Sequence, residues 1–246
     1  MKQTEEIIVY WAPIGPASER GYLSFKEPEP VIKELKKLGN RLTTGDTSTN
    51  ILKCPSVLSN IYNTFYISSP QDLKLVWKDN NLHTPERDQK FFDNSLHMKN
   101  IDQGFLTLPF THIIFFTEEP SLVARQKTAI YSNNDFTKKT GLIEGSVNIG
   151  QWFRPFDTAI YMKEEGEVQI KSEDVLYYLE FLTDKKIVFK RFHANNLIMK
   201  FCDFCVNLKS SRTFMLKSFL QESYALFNRS RIKKQIIKEI KNNLLD

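Results

Sequence analysis

Residues 141 to 192, GLIEGSVNIGQWFRPFDTAIYMKEEGEVQIKSEDVLYYLEFLTDKKIVFKRF, decide the fold class. Within them, Val175–Leu182 reads as a central strand. Val175, Tyr177, Leu179 and Phe181 share one face, and Leu176, Tyr178 and Leu182 share the other. Apolar residues on both faces imply a strand covered on both sides. Gly141–Ile149, Thr158–Met162, Val168–Ile170 and Ile187–Phe192 read as further strands. Glu164-Glu165-Gly166 and Thr183-Asp184-Lys185 read as the turns between neighbours.

Working outward, Glu6–Trp11 is a strand ended by Ala12-Pro13. Thr64–Ser68 and Leu73–Trp77 are strands whose connection, Ser69-Pro70-Gln71-Asp72, has a hairpin's spacing. Phe105–Leu108, His112–Thr117 and Leu122–Ile130 continue the pattern. Two short helices interrupt it, Pro30–Leu38 with Gly39 as its C-cap and Pro55–Ile61. After Phe192 the apolar period changes from two to about 3.6. Leu197, Ile198, Phe201, Cys202, Cys205 and Leu208 share a helical face. So do Leu216, Phe219, Leu220, Tyr224 and Phe227, and then Ile232, Ile236, Ile237, Ile240 and Leu244.

Many short strands, no alternation of strand and helix, and a helical end point to a mainly β, α+β protein. The expected core is an antiparallel β-sandwich or jelly roll over residues 1–192. Residues 193–246 form a C-terminal helical segment packed on it.

The chain has 246 residues, 41% hydrophobic and 26% charged, enough to bury a core and unlike a disordered composition. Aromatics make up 13%, which suits pleated, half-buried surfaces. Three cysteines are no disulfide framework, and no signal layout or membrane-length apolar run is present, so a cytoplasmic, reducing setting is expected. The net charge is +5, but Lys186 to Asp246 carry 13 basic and 4 acidic residues, leaving the rest at −4. A basic tail on an acidic body suits an anionic partner.

No phosphate-cradling glycine loop and no G-x-S-x-G elbow occurs. None of His83, His97, His112 or His193 has a carboxylate two residues on, as iron-oxygenase jelly rolls require. Cys202-x-x-Cys205, with Cys54 and His193, could supply four zinc ligands, but both paired cysteines lie on an apolar helical stripe and read as core. Glu118-Glu119, Glu164-Glu165 and Glu173-Asp174 fall at turns and read as solvated. No catalytic residue, metal or cofactor is therefore expected.

The cluster Gln151, Trp152, Arg154 and Phe156 is the leading binding candidate, because Trp and Arg dominate recognition hot spots. Packing of the same residues into a corner is the competing reading. Tyr10 and Trp11 form a second aromatic pair at the end of the first strand. Lys233, Lys234, Lys238 and Lys241 line the polar side of the last helix and are the candidate nucleic-acid contacts.

The segments IIVYWAP, LKCPSVLSNIYNTFYISSP, GSVNIGQWFRPF and DVLYYLEFLTDKKIVFKRF, in this order, resemble a group of tailed-phage proteins, notably those of marine phages. The resemblance spans about Ile7 to Leu245 and implies a β-sandwich and a phage source, with no activity attached. GSVNIG is also similar to a strand of the trimeric dUTPase and dCTP deaminase jelly rolls, but the dUTPase substrate motifs are absent. The resulting expectation is a phage protein without catalysis that binds another protein, as a virion component or a modulator of a host factor. A nucleic-acid binder using the last helices, or a jelly-roll enzyme acting on a nucleotide or sugar, are the alternatives.

Overall fold

The computed structural model describes residues 5–14, 25–42, 53–79, 81–83, 105–210, 224–225 and 227–245. In chain order the strands are β1 (Glu6–Pro13), β2 (Glu29–Pro30), β3 (Thr64–Ser68), β4 (Leu73–Lys78), β5 (Asn81–His83), β6 (Phe105–Thr117) and β7 (Val123–Lys127). They continue as β8 (Thr140–Leu142), β9 (Gly145–Asn148), β10 (Pro155–Met162), β11 (Gly166–Ile170), β12 (Val175–Phe181) and β13 (Lys186–Arg191). The helices are α1 (Val31–Leu42), α2 (Pro55–Asn60), α3 (Asp135–Lys139), α4 (Asn196–Ser210) and α5 (Arg231–Asn242).

The protein is mainly β, with C-terminal helices. One five-stranded sheet has the order β13-β1-β6-β10-β8. A second has the order β2-β3-β12-β7-β9, and a three-stranded sheet the order β11-β4-β5. Pairing is antiparallel except at β1–β13, which run parallel from Glu6 opposite Lys186 to Trp11 opposite Arg191. As expected from its two apolar faces, β12 is central, flanked by β3 and β7.

The three turns expected to join neighbouring strands do not. β3 and β4 lie in different sheets, as do β10 and β11, and β12 and β13. The reason is length. Four residues span up to about 13 Å, more than the roughly 10 Å between packed sheets, so a hairpin-sized connection can equally cross between layers. The ends of the Ser69–Asp72 connection bond to the turn that leads into β12. Ser69 N–H donates to Asp174 O (2.8 Å), Glu173 N–H to Ser69 O (2.9 Å), and Ser172 N–H to Asp72 Oδ1 (2.6 Å).

Other boundaries moved for local reasons. The stretch 141–149 is two strands, β8 and β9, in different five-stranded sheets. β7 ends at Lys127, and the next N–H, of Thr128, goes to the Glu144 carboxylate (2.8 Å). Residues 105–117 form one strand, β6, and the irregularity lies on it, because residues 109–112 separate the partners of Phe156 and Thr158, which are themselves two apart on β10. Helix α1 runs through Gly39 to Leu42 rather than stopping there. The helix expected over Leu216, Phe219 and Leu220 lies outside the described residues, as do His97 and most of Lys78–Asn100.

Side chains of all three sheets meet in one buried cluster that includes Trp11, Phe65, Leu75, Trp77, Phe115, Ile160, Ile170 and Tyr177. The opposite face of the β1–β6 sheet is covered by α4 and α5. There Tyr10, Phe116, Trp152 and Phe153 pack with Ile198, Cys202, Cys205, Phe227, Ile236 and Ile240. Helix α1 covers the outer face of β12, where Val31 and Leu35 meet Val175 and Tyr178.

Candidate binding cleft

The aromatic patch is closed. Trp152 is 4% exposed, its ring 4.9 Å from Tyr224 and 5.6 Å from Phe227. Phe156 is buried edge-to-face against Phe115 at 5.5 Å. The corner is built by a tight turn. Asn148 Oδ1 accepts from the N–H of Gly150 (3.0 Å) and Gln151 (3.1 Å), and Gly150 packs so closely on the Glu119 carbonyl that a Cβ would clash. Gln151 and Arg154 remain half-buried, and Arg154 Nε donates to Pro155 O (3.2 Å).

Tyr10 and Trp11 are also buried, on opposite faces of β1. The Arg191 guanidinium lies 4.9 Å from the Trp11 ring centre. The Tyr10 hydroxyl donates to Glu118 (3.0 Å). Burial, then this carboxylate, pushes the phenol up to about 12. Trp152, Phe156, Tyr10 and Trp11 are thus core residues. Their rings are packed inside the molecule and present no surface to a partner.

The lysines of α5 divide. Lys233 donates to Gly150 O (2.6 Å) and Asn228 Oδ1 (3.2 Å), and burial lowers its pKa. Lys241 pairs with Glu118 at 2.7 Å. Lys234 and Lys238 are exposed. Two of the four cations expected for nucleic acid therefore hold the helix to the sheet. Cys202 and Cys205 are buried on the inner face of α4, whereas Cys54 is exposed ahead of α2. Among the described residues no group of three His, Cys, Asp or Glu side chains is placed to hold a metal. No helix among them is long and apolar enough to cross a membrane.

A different concavity is open. A cleft of about 510 Å³ is lined by α1, by β2 and β3, by the loop before α3 and by the turn into β12. The Tyr66 hydroxyl donates to Glu29 Oε2 (2.7 Å) and the Tyr178 hydroxyl to Glu34 Oε2 (2.6 Å). Lys26 pairs with Glu173 at 2.7 Å, and Lys33 with Glu29 at 3.4 Å. These contacts join segments up to 147 positions apart.

The two carboxylates are biased in opposite directions. The Tyr66 hydrogen bond, with Lys33 and against the burial penalty, holds Glu29 below the ordinary carboxylate range. Burial pushes Glu34 up, though the Tyr178 and Ser132 hydroxyls and Lys37 oppose it. Both phenols are raised, chiefly by burial and then by their carboxylates, so each stays a proton donor. The cleft thus favours the ionised form of Glu29 and makes Glu34 hold its proton more tightly than a solvated carboxyl does.

Glu173, at its rim, has φ of +73°, a left-handed conformation costing a non-glycine residue roughly 1–2 kcal/mol. Lys26 and the Ser69–Glu173 backbone bond hold it there. Asn133, Asn134 and Asp174 continue into an adjoining hollow of about 610 Å³ with Asp135, Lys139, Glu167, Gln169 and Lys171.

Sequence reasoning passed over these residues because none forms a motif. Glu173-Asp174 look like turn acids, and Glu34 looks like one face of a short helix. The available signal was Tyr178, a phenol on the outer face of a strand covered on both sides, which needs a buried partner. No family model, no curated protein and no solved structure matches this chain.

Proposed function

We propose that this chain is a non-catalytic binding protein of a tailed phage. On this reading its β-sheets pack as a sandwich, and a polar segment of a partner protein docks in the Tyr66–Tyr178 cleft. The observation that carries it is the preorganisation of the cleft. Three separate segments, residues 26–34, β3 and residues 173–178, are locked around it by tyrosine–carboxylate and lysine–carboxylate bonds before any ligand arrives, which lowers the ordering cost of association. The partner is a virion component or a host factor.

The test compares three immobilised forms in one cell lysate: wild type, a cleft variant (Tyr66→Ala with Glu173→Ala), and a helix variant (Lys234→Ala with Lys238→Ala). A protein retained by wild type and the helix variant but lost by the cleft variant supports the proposal. Retention of nothing by wild type sinks it. Loss only in the helix variant moves recognition to α5.

A second reading, acid–base chemistry on a nucleotide or sugar, draws on the opposite bias of Glu29 and Glu34. A thermal-shift screen against nucleotides, sugars and divalent metals separates it. Stabilisation by one of them that the Glu34→Gln variant loses favours the enzymatic reading.

A further inference from the structure

The Tyr66–Tyr178 cleft is unbalanced in charge. Five of the side chains that line it are carboxylic acids and two are lysines. Of these lysines, Lys26 is already paired with Glu173, and Lys33 reaches Glu29 from outside the lining. Glu34 differs from both. It is half-buried and bonded by two hydroxyls, those of Tyr178 and Ser132, and among the described residues no ammonium group pairs with it. The adjoining hollow does not redress the balance, because Asp135 and Glu167 are matched there by Lys139 and Lys171.

The same cleft carries aromatic rings among its acids. Tyr66 and Tyr131 line it and are half-buried, and Tyr131 leans on the buried Tyr178 ring with centroids 6.1 Å apart. The Tyr66 hydroxyl and Lys33 both meet Glu29 at Oε2, and Lys26 meets Glu173 at Oε1, so these bonds use one oxygen of each carboxylate. A carboxylate has about four acceptor positions. Acids set beside tyrosine rings suit a planar guanidinium, which bonds carboxylates with two prongs and stacks on aromatic rings. An ammonium group brings the charge without the fork.

We infer that the partner segment docking in this cleft presents an arginine, whose guanidinium enters among Glu29, Glu34 and Glu173 beside Tyr66 and Tyr131. This rests on the proposed role of the cleft as a docking site and adds the chemistry of its occupant. Charge complementarity selects the residue. A half-buried carboxylate without a counter-ion gains more from an incoming cation than a solvated one does, because the surroundings screen less. The same acids repel a segment rich in aspartate or glutamate, so they exclude wrong partners as well as holding the right one.

The test is an NMR titration of the full chain that follows the Tyr66 and Tyr131 ring signals. The probes are a capped glycine–arginine–glycine peptide and its counterpart with citrulline, which keeps the shape and loses the charge. The arginine peptide should shift both rings saturably and bind at least about tenfold more tightly than the citrulline peptide, the worth of one charge-assisted hydrogen bond. The Glu34→Gln variant combined with Glu173→Gln should lose that preference while the rest of its spectrum stays native. Equal binding of the two peptides to wild type, which needs no variant to fold, overturns the inference. So does an arginine preference that the double variant keeps. Either outcome leaves the docking role of the cleft standing or falling on the lysate comparison, whose result does not depend on the charge of the occupant.

Discussion

The Lys233 ammonium donates to the Gly150 carbonyl at 2.6 Å, tying the last helix to the turn that introduces Trp152. Both ends of this contact are constrained. Gly150 has no room for a Cβ beside the Glu119 carbonyl, and Lys233 is half-buried between the helix and that turn. Gly150→Ala should destabilise the chain by on the order of 3 kcal/mol, because backbone must move to admit the methyl. Lys233→Met should lose about 1–3 kcal/mol, the value of a charge-assisted hydrogen bond left unmade. Urea unfolding of both variants checks the order. A neutral Gly150→Ala contradicts the close approach.

Trp152 should behave as a core residue. Trp152→Ala should lower stability by about 3–5 kcal/mol through lost burial and the cavity left among Tyr224 and Phe227. A variant of native stability that selectively loses a partner would return Trp152 to the role of a presented anchor. Equilibrium melts run beside the lysate comparison decide between the two.

Glu34 should leave a mark on the pH dependence of stability. Burial raises its pKa from 4.5, so the folded chain holds this proton more tightly than the unfolded one. The corresponding stabilisation is complete below the unfolded value and is lost as pH rises through the raised one. Glu34→Gln removes that loss. Its stability relative to wild type should therefore improve as pH rises above 4.5. Glu29 and Glu173, held low by Tyr66 and Lys26, lose stability in the other direction, as pH falls, and do so in both proteins. Parallel wild-type and variant curves over this range would remove Glu34 from the titration.

One thiol should react first. Cys54 is exposed, and the Val57 and Ser56 backbone N–H groups lower its pKa, whereas burial pushes Cys205 up to about 12. Alkylation of native protein followed by peptide mapping should label Cys54 alone. Cys202 and Cys205 should follow only on unfolding. Early labelling of either would mean that α4 lifts readily from the sheet.

Strand positions were readable because period-two patterns are local. Thr64–Ser68 agrees to the residue, and the two apolar faces read over Val175–Leu182 mark a central strand, which ends at Phe181 and leaves Leu182 exposed. Strand partners were not readable. Ser69–Asp72 has the composition of a turn whether it closes a hairpin or crosses between sheets, and only the packing of Phe65 and Leu75 into one core distinguishes them. The cleft was hidden for a related reason. Glu34 and Tyr178 are 144 positions apart, and neither is unusual alone. The Trp152 patch misled because a hot-spot composition and an aromatic corner use the same residues, and what separates them is the helix that closes over it.

The parallel pairing of β1 with β13 governs the order in which this protein can be completed. Val9 is fully buried between Phe189 on one side and Thr117 on the other. During synthesis the first strand therefore emerges some 180 residues ahead of one of its two neighbours, with the exposed edge and apolar side chains that invite wrong pairing. The sheet cannot close until the ribosome has delivered Arg191. Such long-range closure predicts a slow, late and concerted final folding step. A nascent chain halted before Lys186 should be a substrate for chaperones and proteases, whereas one released after α5 should not.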